Sequence, residues 1–154
     1  MPNLINLGCK VADVHHRYDE IHGALFGASS LRLLLDAMLG KRRRVYKRFS
    51  QTLNGLNEEL SALVSQIADP AQIAPATGAE RELQQVLLDY TRALGKTTRG
   101  LQAIFENLEQ DEAGYRDSGS DGRSRFTQDK LHYDHLLSEL ERLGTRLNKL
   151  FSNY

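Results

Sequence analysis

Two short runs combine residue types that bind metals. His15-His16-Arg17-Tyr18-Asp19-Glu20-Ile21-His22 and Asp129-Lys130-Leu131-His132-Tyr133-Asp134-His135 each mix imidazoles with carboxylates, the donors that hold zinc, iron or manganese. His16, Asp19 and His22 repeat at i, i+3, i+6, as do Asp129, His132 and His135. On a helix such a triple fans over about 240°, so its three members do not converge on one ion. His15 with Asp19 or His22, and Asp129 with His132, do share a face. Two such pairs on two helices could make a four-ligand site if the clusters lie at the same height. In an up-down bundle this holds if the first helix ends near Gly27 and fails if it runs to Gly40. The Glu-x-x-His repeat of di-iron bundles is missing, and the plainer expectation is histidines that are solvated or bonded to neighbouring acids. No cofactor is expected.

Covalent catalysis has less to work with. Cys9 is the single cysteine, with no histidine paired to it in sequence, and the serines lack a strand-turn-helix setting. Gly95 to Gly100 falls inside a helical pattern and lacks the strand that precedes a phosphate-binding loop. The reading is therefore non-enzymatic.

The run Lys41-Arg42-Arg43-Arg44-Val45-Tyr46-Lys47-Arg48 holds six cations in eight residues of a chain whose formal net charge is +0. Such a cluster repels itself unless an anion neutralises it, and a nucleic-acid backbone, RNA or DNA, is the commonest polyanion to do so. Tyr46 is the one aromatic available to stack on a base. An acidic protein, an anionic membrane reached through the apolar run Leu31 to Leu39, and a merely solvated helix end are the alternatives.

These residues must be positioned by helices. From Val45 the stripe Val45, Phe49, Leu53, Leu56, Leu60, Leu63, Ile67 steps by three and four and stops before Asp69-Pro70. Taking Val45, Phe49, Leu53 and Leu56 as buried points Arg43, Arg44 and Lys47 outward, with Arg48 at their margin. Arg42 and Tyr46 then lean toward the bundle, Arg42 against an acid such as Asp36.

Upstream, Val11, Val14, Tyr18, Ile21, Leu25, Ala28, Leu31, Leu34, Leu35 and Met38 keep helical spacing over residues 10–39, with a break near Gly27 to Ser30 left open. The run 68–78, with Pro70 and Pro75, is a loop, and Thr77 or Gly78 begins the next helix with Glu80 and Glu82 in its first turn. Leu83, Leu87, Tyr90, Leu94, Thr97, Leu101, Ile104 and Leu108 form the third stripe. Small residues at Gly95 and Gly100 would admit a close neighbour or mark a bend. Residues 111–125, rich in Gly, Ser and charge, read as a mobile loop. The last stripe is Asp129, Tyr133, Leu136, Leu140, Leu143, Leu147, Leu150 and Tyr154.

The expected fold is an all-α, antiparallel bundle of about four long helices in a single domain, 1–154, with helices crossing at roughly 20°. A hydrophobic content of 40% with 26% charged residues fits a folded chain rather than a disordered one. A lone cysteine, no cationic-then-apolar leader and no run near the roughly 18 apolar residues of a membrane span point to the cytoplasm. Residues 1–68 hold 9 Lys/Arg against 6 Asp/Glu, and residues 69–154 hold 11 against 14. Opposite halves favour folding back, or head-to-tail association of copies. The expected function is a helical subunit or adaptor that binds other protein subunits and presents Lys41, Arg43, Arg44, Tyr46, Lys47 and Arg48 to a polyanion. A protein-only or self-associating homo-oligomeric scaffold, and a metal-binding bundle using His15, Asp19, His22, Asp129 and His132, are the alternatives.

Overall fold

The computed structural model describes residues 2–27, 40–119 and 122–154. Four helices occupy them: α1 (Pro2–Phe26), α2 (Arg42–Ala68), α3 (Gly78–Arg116) and α4 (Arg125–Phe151). They pack into an all-α bundle. Direction follows from cross-helix pairs. Asn3 Nδ2 donates to the Gln72 carbonyl just past α2, while Arg17 on α1 meets Glu59 on α2, so α1 and α2 run oppositely. Arg42 meets Glu112, and Arg146 meets Glu82, which reverses α3 against α2 and α4 against α3.

Each stripe becomes a buried face. Leu53, Leu56, Leu60 and Ile67 of α2 interleave with Leu83, Leu87, Leu94, Leu101 and Ile104 of α3, all nearly sealed from solvent. The first helix starts at Pro2, earlier than the helical spacing over residues 10–39 predicts. Leu4 and Leu7 extend the stripe of Val11, Val14, Tyr18 and Ile21 back to Pro2, whose missing N–H costs nothing at a first helical position. It ends at Phe26, with the Gly27 N–H donating to the Gly23 carbonyl. Gly40 has a left-handed φ of 71°, so α2 starts afresh and does not continue a longer helix. Ala28 to Met38, including Asp36, lie outside the described residues.

The loop read over 111–125 is shorter than expected. Asp111 leaves helical geometry (φ −159°, ψ 84°), and its Oδ1 accepts the Gly114 N–H at 3.0 Å. It thereby starts a further turn that runs to Arg116. That turn is held because Tyr115 is buried, bonds Asp129 Oδ2 at 2.5 Å and packs edge-on against Phe126. The loop at 68–78 and the cap at Thr77 fall where the sequence put them. Thr77 Oγ1 accepts the Glu80 N–H at 3.1 Å, and Glu80 reaches back to the Ala76 N–H at 2.6 Å.

The four helices are not evenly spaced. Gly100 and Gly144 let α3 and α4 press together, since a Cβ at Gly144 would lie 3.3 Å from the Tyr90 ring. Among the described residues no Cα of α1 comes within 8 Å of a Cα of α4. That seam is spanned by aromatic side chains instead. Phe26 lies beside Tyr133 (5.8 Å) and Phe126 (6.4 Å), and Phe151 covers Gly8.

Candidate polyanion interface

At 100° per residue, Val45, Tyr46, Phe49, Leu53 and Leu56 define the inward direction of α2. Lys41, Arg43, Arg44, Lys47 and Arg48 then fall on an arc of about 160° on the opposite side. The structure matches this wheel: all five are exposed, whereas Val45 and Tyr46 are buried and Phe49 is half-buried. Arg42 departs from the group. Its guanidinium donates to Glu112 Oε1 at 2.5 Å, and Arg116 shares the same carboxylate at 3.7 Å.

Tyr46 does not serve the interface. Its ring is 2% exposed and lies 5.9 Å from Phe105, so it cannot stack on a base. Burial, followed by the Glu112 carboxylate, pushes its phenol up to about 12. The residues that sequence spacing grouped as one run thus divide by face.

Among the described residues none of the five outward cations has a carboxylate within salt-bridge distance. Arg48 lies over the Phe49 ring at 5.8 Å. Elsewhere the protein pairs many of its arginines: Arg17 with Asp13 and Glu59, Arg142 with Glu139, Arg146 with Glu82. The location sharpens the imbalance, because these cations sit at the positive end of the α2 dipole. Its first turn has no acid, and Lys41 at the cap position makes no capping bond. Cations there raise the energy of the free protein and lower it again when an anion arrives. From Lys41 to Gly55 the exposed side chains include no acid; Glu58 and Glu59 end the stretch.

The histidine clusters meet the condition of equal height but present other atoms. Tyr133 faces α1, with its hydroxyl 2.7 Å from His22 Nδ1 and also bonded to the Tyr18 hydroxyl. His15 Nδ1 bonds the Tyr90 hydroxyl, and its Nε2 lies 3.4 Å from Asp19. Asp129 is taken by Tyr115, while His132 and His135 are exposed. Among the described residues no group of three or more His, Cys, Asp or Glu side chains is arranged to hold an ion.

Burial raises the phenols of Tyr18, Tyr90 and Tyr133 and lowers His22. Near neutrality Tyr18, Tyr90 and Tyr133 are therefore phenols and His22 a neutral imidazole, with Tyr18 and His22 both bonded to the Tyr133 hydroxyl. Tyr18, Tyr90 and Tyr133 stood out in sequence only as stripe positions. Their mutual contacts depend on helix pairing, which spacing along one helix does not encode.

The chain matches no family model, no curated protein and no solved structure.

Proposed function

We propose that this protein is a non-enzymatic helical subunit that acts by contact, presenting Lys41, Arg43, Arg44, Lys47 and Arg48 to the phosphate backbone of a nucleic acid. The single observation that carries the reading is five exposed cations on one face without a carboxylate among the described residues. A solvated helix end of ordinary composition would have interspersed acids, as the rest of the surface does.

Other anionic partners fit less well. An amphipathic membrane helix needs large apolar side chains beside its cations. The apolar run Leu31 to Leu39 lies outside the described residues; among the described residues the large exposed apolar side chains are Ile5, Leu131 and Tyr154, none of them on α2. Among the described residues no helix is long and apolar enough to cross a membrane.

The test is filter or mobility binding to RNA and DNA across salt concentrations, with a variant replacing Arg43, Arg44, Lys47 and Arg48 by Ala. Binding that weakens steeply with salt and disappears in the variant is the expected result. Indifference of binding to the four substitutions overturns the proposal. Salt-dependent light scattering without nucleic-acid binding would instead establish the self-associating scaffold.

A further inference from the structure

We infer that the polyanion is a B-form DNA duplex, gripped by its two phosphate lines on either side of the α2 ridge; this rests on the polyanion reading above. The observation is the shape of the cationic surface. Arg43 and Lys47 fall on one flank of the exposed arc, Lys41 and Arg48 on the other, and Arg44 stands at the crest. The arc is convex and about 160° wide, so its flanks point away from each other.

A surface of that shape complements a groove with negative walls. An α-helix with its side chains is about 10–12 Å across, and the major groove of B-DNA is about 12 Å wide. One line of phosphates, as in a single strand, reaches one flank and the crest. A duplex groove reaches both flanks at once.

Single-strand binders use exposed aromatic rings as stacking platforms for bases, and this ridge has none. Tyr46 is turned under Phe105, and Phe49 is half-buried beneath Arg48. The remaining outward residues, Gln51, Thr52, Asn54 and Gly55, are small or neutral polar and exposed, so the ridge stays free of acid for a further two turns. In RNA duplexes the major groove is deep and narrow, which keeps a helix out.

The proposal is tested with the full chain and equal-length fluorescent probes of about one helical turn or more: duplex DNA, single-stranded DNA and duplex RNA. Anisotropy is read between 50 and 200 mM salt. The expected result is duplex DNA bound at least tenfold more tightly than either other probe. Its log–log salt slope should be about −3 to −4.5, from about 0.9 per phosphate contact. Replacing one flank, Arg43→Ala with Lys47→Ala, should flatten that slope by about two and bring duplex affinity to the single-strand level. These side chains are exposed, so unchanged melting confirms that the fold survives.

Single-stranded DNA or duplex RNA binding as tightly as duplex DNA overturns the duplex inference and leaves the polyanion reading intact. Failure of all three probes overturns both.

Discussion

The Tyr133 hydroxyl lies 2.7 Å from His22 Nδ1, bridging α1 and α4, whose described Cα atoms stay more than 8 Å apart. The same hydroxyl bonds Tyr18, whose residue is wholly buried. Tyr133→Phe therefore leaves the buried Tyr18 hydroxyl without that partner. The expected cost is about 1–3 kcal/mol, which lowers Tm by about 2–4 °C for each kcal/mol in a chain of this length. Tyr18→Phe combined with Tyr133→Phe should cost less than the two separately, because the double variant leaves no orphan hydroxyl between the rings. Urea or thermal unfolding of the three variants checks this, and strict additivity would refute the shared bond.

Acid should weaken this seam through His22. Burial holds its imidazole below the ordinary value of 6.5. Asp19 and Asp134 pull it upward, Lys130 pushes it further down, and Tyr133 and Tyr18 are its neutral neighbours. A folded pKa below the unfolded one means that the unfolded chain binds the extra proton once pH drops under about 6.5. Stability is unaffected by this group above that pH and falls as pH decreases below it. Urea midpoints measured at pH 7 and pH 5 should drop less in His22→Gln than in the wild type. Equal drops would show that His22 contributes nothing to acid sensitivity.

What the sequence made legible was whatever repeats along one helix. Val45 to Ile67 fixes the inward face of α2, and so separates Arg42 and Tyr46 from the five outward cations. Events that depend on which helices meet left no such trace. Leu136 and Leu150 were stripe positions, yet both are only half-buried, Leu136 lying on the α3 side of α4 next to Gly100. His132 and Asp129 share a helix face, but Tyr133 is the residue that turns inward. Local polarity misled at Asp111 to Arg116, where an aspartate that reads as loop caps a turn carrying buried Tyr115. Arg42 found Glu112, some 70 residues away, as its acid.

Arg42 and Arg43 are adjacent, and their substitutions should have opposite signatures. Arg42→Ala removes the Glu112 pair and lowers stability by about 1 kcal/mol or less, since both side chains keep some solvent contact, 37% and 21%. Nucleic-acid affinity should be nearly unchanged. Arg43→Ala should leave the urea midpoint in place and weaken binding. Measuring both quantities on both variants decides the matter; a loss of affinity in Arg42→Ala equal to that in Arg43→Ala would erase the distinction between the two faces.

Two helical glycines separate backbone propensity from packing. Gly55, in the middle of α2, is exposed, and a Cβ there meets nothing within 4 Å. Gly55→Ala should stabilise the protein by about 0.5–1 kcal/mol, the cost of glycine in a helix interior. Gly144 sits inside the C-terminal half of α4, where a Cβ would lie 3.3 Å from Tyr90 Cε2. That ring has little freedom to retreat, because it is buried, stacked on His15 and bonded to His15 Nδ1. Gly144→Ala should therefore lose the propensity gain to displacement of Tyr90 and come out no more stable than the wild type. Urea unfolding of the two variants side by side is the check. A gain at Gly144 equal to that at Gly55 would mean that α4 is not pressed against the Tyr90–His15 pair.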